Sequence, residues 1–233
     1  MRKRSRAIGP QPAAAPSPPR LSRVPALRAV AGVALEDDAR YADLEISGCV
    51  TGRAAKRVTF ERVILRDLDL TGVRCDRLRL LDVRLHACDL ANATWREASI
   101  DRTEFIGCRL TGLDLADTTA GDLVFRQCTG SLVSFRFAQL KRALFEDCVL
   151  PEADFQNTAL PGAVFRGCDL KGSGWFGAEL AGADLRGSDL DNPGIRAGDF
   201  AGAIIDSTQL VTVARRLAAM TGIVVRDRDE RTT

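Results

Sequence analysis

The sequence predicts an all-β solenoid of four-sided coils, about seven to eight of them, with a short α-helix at its C-terminal end. Three observations carry this. Five of the seven cysteines, Cys88, Cys108, Cys128, Cys148 and Cys168, sit twenty residues apart. A large apolar position recurs every five residues from Phe60 to Leu210, and of its thirty-one occurrences only Gly130 lacks an apolar side chain. A small or apolar residue stands two positions before it, and glycine recurs two positions after it, as at Gly162, Gly167, Gly172, Gly177, Gly182 and Gly187. Self-similarity at a fixed period is the mark of a repeat architecture.

The period excludes the ordinary alternatives. A helix repeats its apolar face at 3.6 residues and a strand at 2. In a five-residue unit the two apolar positions, two apart, point to one side as they do on a strand. The remaining residues turn a corner, where glycine tolerates the dihedral angles required. Four units then close one coil of twenty residues, and the cysteine spacing is one residue stacked over its counterpart in successive coils. At about 4.8 Å per coil the rod is on the order of 35–40 Å long.

The chain divides accordingly. Residues 1–35 carry seven Lys/Arg, no acid and no aromatic, with Pro and Ala between them, and read as a disordered basic tail. A polyanion-binding arm is the sharper alternative, weakened by the lack of a base-stacking ring. Residues 36–57 hold Tyr41, Leu44, Ile46 and Val50 but slip out of frame near 51–57, which predicts an irregular first coil or N-terminal cap. Residues 58–210 are the solenoid. Residues 207–225 show helical spacing at Leu210, Val213, Ala214 and Leu217, with Asp206 or Ser207 as N-cap, Gly222 as stop and a short strand at 223–225. Residues 226–233 are a second disordered tail. Ala120 and Gly130 interrupt the large series within one coil and predict a thinner core or a bend near 118–132.

Runs such as Ala183-Asp184-Leu185-Arg186-Gly187 and Ala153-Asp154-Phe155-Gln156-Asn157 resemble the repeat of the pentapeptide-repeat proteins, and the resemblance spans roughly residues 58–210. It implies a right-handed quadrilateral parallel β-helix. The chain also resembles the loopless, mycobacterial-type members associated with fluoroquinolone resistance. Their rod mimics DNA on the DNA-binding saddle of gyrase and dimerises through a C-terminal element. The resemblance therefore implies a protein partner of the type II topoisomerase class and, through Leu210, Val213 and Leu217, either a cap or a homodimer contact.

The chemistry of the residues favours a non-enzymatic, cytoplasmic interaction module without cofactor or metal. In-register side chains lie about 4.7–4.9 Å apart, whereas a disulfide brings its Cβ atoms to about 3.8 Å. One column of thiols cannot surround a metal tetrahedrally, so the cysteines read as buried small hydrophobes. His86 is the only histidine, expected to face solvent, and the glycines follow period five rather than a phosphate-binding loop. No apolar run reaches a membrane span, and no leader is expected.

Charge is distributed unevenly. Residues 36–145 hold seventeen acids and seventeen bases, whereas residues 146–210 hold eleven acids against Arg166, Lys171, Arg186 and Arg196. The second segment is about 16 Å of rod, and duplex DNA carries about nine charges in that length. Asp154, Asp169, Glu179, Asp184, Asp189, Asp191 and Asp199 are the candidate interaction surface, with Asp169 over Asp189 and Glu179 over Asp199 as expected columns. The alternatives are a scaffold for another partner, or polyanion attachment through residues 1–35.

Overall fold

The residue two places after each large apolar side chain decides the shape of the coil. A computed structural model describes residues 14–21, 27–196 and 198–224. At these corner positions the backbone is left-handed: φ is +53° at Asp67, +52° at Ala87, +60° at Gly107, +51° at Gln127 and +52° at Asp147. Each corner N–H donates to a carbonyl in the next coil, Asp67 to His86, Ala87 to Ile106, Gly107 to Arg126, Gln127 to Glu146 and Asp147 to Arg166, at 2.9–3.0 Å. A left-handed L-residue costs roughly 1–2 kcal/mol, and a satisfied hydrogen bond contributes about 0.5–1.5 kcal/mol. The inter-coil bond thus largely offsets the strain. This is why most corners before residue 160 need no glycine, contrary to the role the sequence suggests for it.

The result is a parallel β-solenoid of about seven turns with one short C-terminal helix. Its strands are β1 (Arg28–Ala34), β2 (Arg40–Thr51), β3 (Ala54–Lys56), β4 (Thr59–Arg66), β5 (Arg74–Asp76), β6 (Arg79–His86), β7 (Ser99–Ile106), β8 (Thr119–Arg126), β9 (Gln139–Glu146) and β10 (Val164–Arg166). One sheet runs β1-β2-β4-β6-β7-β8-β9-β10 and a second pairs β3 with β5. From β4 onward the register advances by twenty residues, as in Phe60↔Leu80↔Ile100↔Ala120↔Leu140. The first coils differ, with β2 on β4 as Tyr41↔Phe60 and β1 on β2 as Val30↔Ile46, then Val33↔Val50 after a bulge. The irregular entry expected at 36–57 is therefore a shorter coil.

Two stretches within the expected 1–35 tail belong to the structure. Arg28–Ala34 is already β1, its Val33 buried. Residues 14–21 lie against the rod, where the Ser17 and Arg20 N–H groups donate to Asp122 and Asp82. Residues 1–13 and 22–26 of that tail, and the whole 226–233 tail, lie outside the described residues.

The core is a herringbone of rings. Phe105, Phe125, Phe145 and Phe165 stack along one side with centroids 4.5–5.1 Å apart. Phe135, Phe155 and Trp175 stack along the opposite side at 4.3–5.1 Å. Rings of the two columns meet edge to face at 79–89°, a favoured aromatic geometry. This arrangement overturns the bend expected near 118–132. β7, β8 and β9 pair without a register shift through Ala120. The small residues Ala120 and Gly130 occupy the other two sides of that coil, and Phe125 and Phe135 fill its centre, 5.8 Å apart. Gly130 also sits close to the preceding coil, since a Cβ there would lie 2.5 Å from the backbone of Leu110 and Thr111.

The helix α1 (Ser207–Thr221) closes the last coil. Asp206 is its N-cap, in a capping box with Gln209, and Gly222 ends it in the left-handed region. In the coil above, the Asp189 N–H donates to the Cys168 carbonyl and the Cys168 thiol to the Phe145 carbonyl. The Gln209 side-chain amide takes over both roles at the end of the rod, donating at 2.6 Å to the Ser188 carbonyl, one coil on from Cys168, and to the Leu185 carbonyl, two coils on from Phe145. Gln209 and Val213 are buried and Leu217 packs on the core, but Leu210 is 57 % exposed, so the inward five-residue series ends at Ile205 rather than Leu210. The strand expected at 223–225 does not form at Ile223 and Val224, because the Ile223 N–H turns back to the Ala218 carbonyl. Val225 lies outside the described residues.

Replacing Gly130 with leucine restores the repeat pattern yet is expected to destabilise the rod by about 1–3 kcal/mol, the cost of overpacking. A lower urea midpoint at unchanged m-value checks this.

Candidate interaction surfaces

The positions just before the large apolar residues form four columns, one per side. One runs Arg109, Thr129, Val149, Asp169, Asp189, and another runs Asp114, Ser134, Asp154, Gly174. A third runs Gln139, Ala159, Glu179, and the fourth Val164, Asp184, Ile204. The seven candidate acids therefore do not share a face. Asp154, Glu179 and Asp184 sit on three different sides, and only Asp169, Asp189 and Asp191, which stands just before the corner residue Asn192, lie together on the remaining one.

Their partners differ as well. Asp169 and Asp189 are in register, and the Lys171 ammonium bridges them at 3.7 and 3.2 Å. Asp191 is exposed and forms no ion pair among the described residues. Beside it an open depression is lined by Pro151, Glu152, Lys171, Gly172, Asp191 and Asn192. Asp154 meets Arg136 at 3.2 Å, and Arg186 folds back onto Asp184, which holds that carboxyl below its usual range. Asp199 turns onto backbone donors: its carboxylate accepts the Gly177 and Arg196 N–H groups, and its side chain is 11 % exposed. The expected Glu179–Asp199 column does not form, because Asp199 tightens the last turn instead.

The N-terminal half neutralises itself along the axis. Arg84, Glu104, Arg126, Glu146 and Arg166 form a continuous ladder at 2.7–3.8 Å. On the corner beside it Arg102 clasps Asp82 and Arg142 clasps Asp122, with bonds of 2.6 and 2.9 Å in each pair. The Arg142 hydrogen bonds hold the Asp122 carboxyl below its ordinary range. Burial works to raise the Asp82 carboxyl, but Arg102 and the Arg20 N–H outweigh it and leave it lowered. The alternation Asp82, Arg102, Asp122, Arg142 at spacing twenty was the sequence signal for this corner, since the same ruler stacks these residues.

The thiol column is enclosed. Cys88, Cys108, Cys128, Cys148 and Cys168 are buried, each Sγ 3.4–3.6 Å from a backbone carbonyl. The neighbouring thiols and burial push Cys88, Cys128 and Cys168 up, toward the protonated form. Cys49 is exposed. His86 is half-buried rather than facing solvent, with its Nδ1 enclosed and unpartnered. No group of metal-ligating side chains gathers among the described residues, and no helix there is long and apolar enough to cross a membrane.

Two family models match within the solenoid: a pentapeptide repeat region over residues 78–155 and pentapeptide repeats in eight copies over residues 148–173. Both coincide with coils whose five-residue units and twenty-residue register are laid out above. This chain is a pentapeptide-repeat protein. Solved pentapeptide-repeat structures align along most of the rod. HetL, involved in heterocyst differentiation regulation in the cyanobacterium Nostoc, is 18 % identical over 81 % of this chain and 95 % of its own, at TM-score 0.36. QnrB1, a plasmid-mediated fluoroquinolone resistance protein, is 17 % identical over 79 % of this chain and 98 % of its own, at TM-score 0.30. Rfr23 from the cyanobacterium Cyanothece is 17 % identical over 66 % and 92 %, at TM-score 0.26. No curated protein matches this chain in sequence.

The helix end of this pentapeptide-repeat protein carries its own apolar surface: Leu210, Val211, Met220, Ile223 and Val224 are exposed. Asp206 anchors that end. Hydrogen bonds from the Thr208 hydroxyl and the Gln209 and Gly187 N–H groups lower its carboxyl to about 2. A lowered folded-state pKa contributes stability above the unfolded value and loses it as pH falls through the folded one. The helix is therefore expected to lose amide-exchange protection between about pH 4 and pH 2, whereas Asp206→Asn should flatten that profile at a lower protection overall.

Proposed function

We infer that this pentapeptide-repeat rod is a non-enzymatic protein-interaction module that offers a DNA-like row of carboxylates to a type II topoisomerase. The observation that carries this is the register of Asp169 over Asp189, with Asp191 exposed just before the next corner. Successive coils repeat their charges at about 4.8 Å, and residues 146–210 hold eleven acids against four bases. Because Asp154, Glu179 and Asp184 face other sides, the contact centres on Asp169, Asp189 and Asp191, with Glu152 beside them. Lys171 sets the orientation of the two stacked carboxylates at some cost in net charge.

A second contact serves the same reading. The outward helix face at Leu210, Val211 and Met220 is exposed, which suits a homodimer joined at its C-terminal ends, whereas Val213 and Leu217 serve as the cap. The pairing would place two acidic segments in line along one longer rod.

The rod is expected to inhibit DNA supercoiling by gyrase at micromolar concentration or below. The triple change Asp169→Asn, Asp189→Asn, Asp191→Asn should weaken inhibition at least tenfold, while Glu179→Gln with Asp184→Asn should leave it within about twofold. Unchanged supercoiling in the presence of the folded wild-type rod would remove the topoisomerase from the reading and leave a module for another partner.

A further inference from the structure

Asp82, Glu104 and Asp122 are the only buried acids among the described residues, and all three lie on the outer flank of β6, β7 and β8. Glu104 belongs to the axial ion ladder. Asp82 and Asp122 each have an arginine on one side, and on the other each accepts a backbone N–H from the Pro-rich N-terminal segment. The Arg20 N–H donates to Asp82 at 2.9 Å and the Ser17 N–H donates to Asp122 at 3.0 Å. Pro19 between them is buried.

The spacing of these contacts is set by two independent geometries. Asp82 and Asp122 occupy the same corner two coils apart, which is about 9.6 Å along the axis. Ser17 and Arg20 are three residues apart, and a polyproline II helix rises about 3.1 Å per residue, or about 9.3 Å over that span. Such a helix has three residues per turn, so N–H groups at i and i+3 point the same way. Pro16, Pro18 and Pro19 hold φ near the polyproline II value, and Ala15 and Ser17, each preceding a proline, are biased to the same region. Arg102 and Arg142 fix the two carboxylates from below, so each keeps a lone pair aimed outward.

We propose that this flank is a binding site for an extended, proline-rich peptide, and that residues 16–20 are its built-in occupant. The site reads two N–H groups three residues apart, one per carboxylate, and Arg102 and Arg142, one on each carboxylate, prevent either from acting as a bare charge. The segment closes the site in cis, and a partner bearing the same pattern enters by displacing it. A short tether gives the built-in segment an effective concentration on the order of 1 mM. A free peptide with a Kd of about 0.1 mM therefore meets roughly tenfold competition from it.

Proline at both donor positions tests this in the full chain. Ser17→Pro with Arg20→Pro keeps the segment in polyproline II form but removes both N–H donors. Ser17→Ala with Arg20→Ala removes the side chains and keeps the donors. A fluorescent peptide of residues 11–21, followed by polarisation, should bind the double-proline rod about tenfold more tightly than either the wild type or the double-alanine rod. The same peptide carrying both prolines should not bind. Equal binding to all three rods, binding of the doubly proline-substituted peptide, or no binding to the double-proline rod would each overturn the proposal. Backbone amide exchange adds a second reading: the Ser17 and Arg20 N–H groups should exchange at least tenfold more slowly in the wild type than in a variant carrying Asp82→Ala and Asp122→Ala, which removes both acceptors. Equal rates in a folded variant would also overturn it.

Discussion

A coil of twenty residues with four left-handed corners is the constraint on which this protein rests. Each corner turns the chain by exposing an N–H along the axis. Through the regular coils that N–H finds a carbonyl nineteen residues on, as Asp67 does at His86, and near the C-terminal end Gly177 and Gly187 use the carboxylates of Asp199 and Asp206 instead. A corner without a next coil is strained and unsatisfied, and a coil without corners cannot close. Stability is therefore shared between neighbours rather than gathered in one centre, as in other solenoids.

Stacking like over like has different consequences inside and outside. Inside, it puts rings on rings, and the two ring columns interlock edge to face wherever the other two sides carry smaller residues. It also lines up thiols, each within weak hydrogen-bond reach of a backbone carbonyl. Outside, it would pile charge on charge. The N-terminal half avoids this by alternating acid and arginine at spacing twenty. The C-terminal half relaxes the rule, and there Lys171 alone stands between Asp169 and Asp189.

The ends of such a rod are open templates for more β structure. At the C-terminus one side-chain amide, that of Gln209, reproduces the two donors of the coil that is missing, and the helix it belongs to covers the rest. At the N-terminus the register shortens and β1 carries a bulge, so the first coils differ from those that follow. The Pro-rich segment lies along the flank, where three of its residues span about the same distance as two coils.

Period five, the inward series and the helix after Ile205 were legible in the sequence because they depend on spacing alone: a side chain two residues from another on an extended unit points the same way in any protein. The Cys88–Cys168 ruler likewise determined which residues stack, including Asp169 over Asp189. Which acids share a side was also implicit in spacing, yet the acidic composition of 146–210 suggested one surface where the four-sided coil makes several. What only the tertiary structure decided involves partners distant in the chain or departures from the repeat. Phe125 and Phe135 fill the space left by Ala120 and Gly130, Gln209 takes an inward place that Leu210 held in the frame, and Asp199 turns to backbone donors. Ser17 and Arg20 find Asp122 and Asp82 across 105 and 62 residues. No local pattern in a basic, proline-rich stretch specifies that contact, because it exists only once two coils set the distance between the carboxylates.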